Sequence, residues 1–238
     1  MRSVLLTAVI GSSVLMQMAH ADGLVYNLPP DRTSVRYEME IVPTFSGEKS
    51  RKGSLTISSV GVTTVENANC RWIEFKNASK ENDGREAITI SKVLVPEEHL
   101  GRGKSSGEHL IRGWVKQDDN EPREIKELQT LPGYVMLAGY LAGPPHNFQE
   151  LDKVEIDGKL GKQVCGGISG VQEFQYGNQT FKIHFENRFH EKAPFGVVSA
   201  AWKVEREING RRTINIGTSK LTLVDVNTTA VSELPDRN

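Results

Sequence analysis

The sequence predicts a mainly β protein: a curved antiparallel sheet or incomplete barrel built from long hairpins, with one or two short helices. Three observations carry this expectation. Apolar residues recur at every second position along several segments, the period of a strand with one dry and one wet face. Turn dipeptides such as Asn209-Gly210 fall between those segments, the strongest short-range hairpin signal. Stretches of helical period are few and short.

The first residues read as an address rather than as structure. Arg2 is followed by an apolar run from Val4 to Met16 and then by Ala19-His20-Ala21. A charged start, a short apolar middle and a small-residue exit make a secretory signal peptide, expected to be cleaved before Asp22. The run is too short for a membrane span, which needs about 20 apolar residues. No cysteine stands at the cleavage point, so no lipid anchor is expected there. Removing residues 1–21 from 238 leaves 217 and moves the formal net charge from −1 to about −2. The mature chain, 22–238, is expected to be exported to the periplasm or beyond, as one mainly-β domain with no integral membrane segment. Within it, a strand group at about 33–128 and another at about 153–226 flank a Pro/Gly-rich connection at about 129–152.

Each element follows from its own pattern. Val35, Tyr37, Met39 and Ile41 share one face, and Arg36, Glu38 and Glu40 the other. Lys49-Ser50-Arg51-Lys52 reads as a solvated basic loop. Further strands are expected at 54–60, 70–77, 87–95 and 110–117. Short helices are expected at 97–100 and at Tyr134–Leu141, the latter closed by Gly143-Pro144-Pro145. A strand at 171–176 comes next. Phe181, Ile183, Phe185 and Phe189 then alternate with Lys182, His184, Glu186 and Arg188, and Val198, Ala200, Trp202 and Val204 repeat the pattern. The last strand is expected at 213–226. Turns at 176–179, at Asn209-Gly210 and near Asp157-Gly158 make the C-terminal strands a meander.

Motifs for chemistry fail on context. Gly103-Lys104-Ser105-Ser106-Gly107 has the spacing of a nucleophile elbow, which works only on a sharp turn from strand to helix. Here a loop follows Pro96 and a strand follows the motif. The same residues approach a phosphate-binding loop, but Glu98 stands where that pattern requires glycine. His184 and His190 share a strand face, yet six residues at about 3.3 Å each set them roughly 20 Å apart, too far for one metal ion. His99 and His109 flank the glycine loop, with Glu97, Glu98 and Glu108 nearby. An enzymatic reading requires these histidines and Ser105 to converge in a pocket. No catalytic residue, metal or cofactor is therefore expected. Interspersed charges of both signs argue against nucleic-acid binding. Two cysteines in an oxidising compartment predict a disulfide, Cys70 to Cys165.

Several segments resemble a group of exported proteins with no assigned activity that are abundant in planctomycete bacteria. They include Ala21-Asp22-Gly23-Leu24-Val25-Tyr26-Asn27-Leu28-Pro29, Gly113-Trp114-Val115-Lys116 and His190-Glu191-Lys192-Ala193-Pro194-Phe195-Gly196-Val197-Val198. The resemblance implies export and a bacterial source, and it supplies no catalytic residue. The order of long hairpins, one irregular middle stretch with a short apolar helix, and a Pro-Phe-Gly-Val turn is also similar, at the level of fold, to LolA-like periplasmic lipoprotein carriers. That similarity implies a strongly curved sheet with short helices closing its mouth.

Two functions follow as expectations. In the first, a half-open barrel lined by Trp72, Phe181, Phe185 and Trp202 holds an apolar small molecule or lipid. In the second, the sheet packs shut and an envelope protein docks on an edge or on residues 131–148. An apolar cavity of about 300 Å³ or more separates them in favour of the carrier.

Overall fold

The computed structural model describes residues 23–44, 49–81, 84–125, 134–141, 148–210 and 212–234. The expected signal peptide, 1–21, lies outside the described residues. Strands β1 (Ser34–Pro43), β2 (Arg51–Val65), β3 (Ala68–Lys80), β4 (Glu86–Pro96), β5 (Arg112–Gln117) and β6 (Arg123–Glu124) precede one helix, α1 (Tyr134–Leu141). Strands β7 (Phe148–Gly158), β8 (Gly161–Tyr176), β9 (Gln179–Phe189), β10 (Val197–Ile208) and β11 (Arg212–Asn227) follow. All are hydrogen-bonded antiparallel in one 11-stranded sheet, ordered β6-β5-β4-β3-β2-β1-β11-β10-β9-β8-β7. Strands β6 and β7 are its two edges, so the sheet is not closed into a barrel.

Local chemistry makes the hairpins. Asn209 and Gly210 have φ of 51° and 66° between β10 and β11, the left-handed pair that matches the twist of two antiparallel strands. Glu66 and Asn67 do the same between β2 and β3, at 49° and 69°. That turn carries no glycine and was not expected from sequence.

Curvature is visible in what Tyr140 touches. A flat sheet would set β3 and β10, four strand spacings apart, about 19 Å from one another. Yet the Tyr140 ring of α1 lies 5.5 Å from Phe75 of β3 and 5.5 Å from Trp202 of β10. The sheet therefore wraps around the helix. Register shifts at Arg36/Tyr37, Ser59/Val62, Leu151/Val154, Val197/Ser199 and Val204/Glu205 supply the bends, because a bulge bends its strand and increases its twist.

The core fills one end of the concave side. Val35, Tyr37, Leu55, Ile57, Ile73, Phe75, Val93, Val95 and Val197 pack there against Leu137, Tyr140 and Leu141. The segment after Gly23 closes that end with the buried Leu24 and Val25. Leu24 N donates to the Tyr140 carbonyl at 2.9 Å, and a Cβ on Gly23 would stand 2.3 Å from that oxygen. Arg71 is locked in the wall, donating to Glu97, to the Pro29 carbonyl and to Ser59.

Two expectations need correction. The connection ends earlier than expected, because β7 begins at Phe148 and pairs with β8 from Gly170 downward. Both strands read poorly as sequence: β7 is exposed on both faces, and glycines interrupt β8. One of them, Gly167, lies under the Arg188 side chain, where a Cβ would meet Cδ at 2.7 Å. Backbone pairing carries most of these strands, whose dry face is limited to Cys165 and Ile168 with Phe148 and Ile156 packed nearby.

The Cys70–Cys165 bridge is absent, and both thiols are free and buried. Cys70 is on β3 and Cys165 on β8, with five strands between them in the sheet. In the ladder Cys70 stands opposite Thr63 and Pro96, and Cys165 opposite Val154, so neither has the other as a sheet neighbour. Each sulfur instead faces a carbonyl of its own strand, Ala68 O at 3.4 Å and Gln163 O at 3.6 Å. Burial pushes the Cys165 thiol pKa up, partly opposed by Arg188, and this favours the unreactive thiol.

Candidate functional site

The far end of the concave side is not filled. A cavity of about 400 Å³ lies between β1, β9, β10, β11 and α1. Its walls follow from strand alternation. Met39 and Ile41 project inward from β1, Phe181, Ile183 and Phe185 from β9, and Trp202 and Val204 from β10. Register aligns them, with Trp202 opposite Phe185 and Val204 opposite Ile183. Helix α1 contributes Met136 and Gly139, and a Cβ on Gly139 would stand 3.3 Å from Ile183 Cδ1. Met136 is 40% exposed and stands where the cavity meets solvent.

Polar groups in the cavity are few. Asn187 is buried in its wall and accepts a hydrogen bond from Trp202 Nε1 at 3.3 Å. Gln172, Ser79 and Ser219 add neutral polar atoms. Arg51 is the only charged side chain lining the cavity among the described residues. It opens β2 opposite Ile41 and meets Glu81 at 3.3 Å. Among the described residues its lining is mostly apolar, with a cation at the margin and no nucleophile–base pair.

Three of the four residues expected to hold a ligand, Phe181, Phe185 and Trp202, come together here. Trp72 does not. It faces the opposite, outer side of the sheet, where it packs with Ile88, Ile90, Trp114 and Leu234. The chain's own C-terminal segment covers that patch. Buried Glu74 accepts from Ser232 Oγ at 2.8 Å and from the backbone N–H groups of Glu233 and Leu234. Lys76 pairs with Glu233 at 2.8 Å. The fully buried Lys92 sets its Nζ 4.9 Å from the centre of the Trp72 ring and donates to the Leu234 carbonyl at 3.4 Å. Burial raises the Glu74 carboxyl pKa, against the hydrogen bonds from Ser232, Glu233 and Leu234 that lower it.

Sequence reasoning placed Met39, Ile41, Ile183 and Val204 on dry strand faces without distinguishing cavity wall from packed core. Arg51 was assigned to a solvated loop. The period-two pattern holds the missing signal, since Arg51 shares a face with the buried Leu55 and Ile57.

The glycine loop at 103–107 is no nucleophile elbow. It follows one short 3-10 turn, Glu97–His99, and runs into a second, Ser106–His109. Ser106 Oγ donates to the His99 carbonyl at 2.8 Å. The His99 and His109 rings do converge, stacked 3.5 Å apart with 6° between their planes. Neither they nor Ser105 line the cavity, and no group of three metal-ligating side chains occurs among the described residues. No described helix is long and apolar enough to cross a membrane.

No protein-family model matches the chain, and no curated protein does. Among solved structures it is similar to a Bacteroides fragilis protein described as exported and as having a YmcC-like fold. The two are 8% identical at a TM-score of 0.37, over 87% of this chain and 100% of that one. It is also similar to a beta-barrel-like protein of a domain of unknown function from Brucella abortus, 8% identical at a TM-score of 0.27. That match covers 85% of this chain and 98% of the other. A third similar structure is a LolA superfamily protein from Nitrosomonas europaea, 11% identical at a TM-score of 0.28, over 90% of this chain and 92% of that one.

Proposed function

We propose that this protein is a non-enzymatic carrier or binding module for an apolar or lipid-like ligand, exported by cleavage of residues 1–21. One observation carries the reading: the concave side holds a partly open cavity of about 400 Å³ walled by Met39, Ile41, Phe181, Phe185, Trp202 and Val204. A chain that only needed a stable core would fill that space, because an empty apolar cavity forfeits both contacts and burial. The volume lies within the range of small-molecule sites. Filling it with an apolar ligand would recover the missing contacts and hold the ligand away from water.

The test is the purified mature protein in native mass spectrometry, with solvent extraction of whatever it carries. The expected result is a bound apolar species that dissociates on unfolding. Protein that carries none, and takes up none when offered single-chain amphiphiles, would show the cavity to be a packing defect.

A further inference from the structure

Resting on that carrier reading, we propose that the ligand is a single-chain amphiphile with an anionic head, and that Arg51 is the residue that selects it. Among the described residues the cavity's lining is mostly apolar and carries one charge, which is positive. No carboxylate lines it among the described residues. A cationic head would meet Arg51 as a like charge, and a neutral head would gain no ion pair. An anionic head gains charge-assisted hydrogen bonds from a guanidinium, whose planar fork suits carboxylate and phosphate.

Position supports the pairing. Arg51 stands opposite Ile41, itself a wall residue, at the β1–β2 end of the sheet. Its side chain is 25% exposed, so it lies at the margin rather than in the depth of the site. The Gly53↔Ser79 pair is the last that β2 and β3 share toward this end, and two steps beyond it Arg51 meets Glu81 at 3.3 Å. Glu81 is 37% exposed and outside the cavity lining. Glu81 is therefore one counter-ion that an incoming anionic head would compete with for Arg51. Exposed pairs of this kind are weak enough to exchange.

Size favours a single chain. At about 400 Å³ the cavity lies at the low end of the range for small-molecule sites, which suits one medium acyl chain better than the two chains of a diacyl lipid.

The experiment titrates the purified protein, below micelle concentrations, with dodecanoate, dodecanol and dodecyltrimethylammonium, following Trp202 fluorescence and calorimetric heat. Dodecanoate is expected to bind about tenfold more tightly than dodecanol, and the cation more weakly than either, since hydrogen bonds to charged groups reach that size. Arg51→Gln should remove the tenfold preference and leave dodecanol binding unchanged. Glu81→Gln keeps Arg51 in place and should tighten dodecanoate severalfold, which guards against a misfolded Arg51 variant. Equal binding of all three amphiphiles, or loosening of dodecanoate by Glu81→Gln, overturns Arg51 selection while leaving the carrier reading standing. Absence of binding by all three overturns both.

Discussion

Trp72 and Trp202 both stand on alternating strand segments, and both are partly buried, yet they meet opposite surroundings. Trp72 lies on the outer face of β3, under a strap made by the chain's own residues through Leu234. A buried lysine stands over its ring and a buried carboxylate holds the strap's N–H groups. Trp202 lies on the inner face of β10, held by Asn187 on one side and open to about 400 Å³ on the other. The same residue type is thus sealed in one half of the sheet and left with unfilled space in the other. The sealed patch contributes stability, and the unfilled one is the site we propose.

Substitutions can break that division or sharpen it. Leu234→Ala should cost about 3 kcal/mol of unfolding free energy in urea, the range for a buried leucine, with amphiphile binding unchanged. A parallel loss of binding would mean that the two patches are coupled through the sheet. Val204→Trp should do the reverse. It narrows the cavity, moves stability by about 1–3 kcal/mol, and weakens uptake; unaltered uptake would place the ligand elsewhere.

A smaller effect concerns pH. Burial raises the Glu74 carboxyl pKa, so its contribution to folding is fully present below the unfolded value and is lost as pH rises through the folded one. The stability of the native protein relative to Glu74→Gln should therefore fall as pH climbs upward from about 4, the ordinary glutamate range. The opposite slope would show the strap's hydrogen bonds outweighing burial. Least of all is expected from the thiols. Reductant should leave the melting temperature unchanged, and protein unfolded without reductant should take up two equivalents of a thiol reagent.

The hairpin strands were legible because their chemistry is local. Phe181, Ile183, Phe185 and Phe189 announce a strand with one dry face, and Asn209-Gly210 announces its neighbours' turn. Even α1 was readable from a short apolar run bounded by glycine and proline. The β7–β8 arm was less so, since exposed β7 and glycine-interrupted β8 carry little alternation. Their pairing is a backbone event that side-chain pattern hardly records. The disulfide expectation failed for a related reason: parity and compartment say nothing about which strands end up adjacent.

By itself, then, the sequence determined the class of the protein and which side of most strands would be dry. Period two and turn dipeptides act within a few residues and need no partner to be read. Only the tertiary structure decided which dry faces are packed and which line a cavity. That depends on how far the sheet bends around Tyr140 and on where β1 and β11 join the two halves. Trp72 is kept out of the expected site by alternation with the inward Ile73 and Phe75, whereas the bend brings Arg51 to the cavity's margin. A residue's face is a local property, but the space in front of that face belongs to the whole sheet.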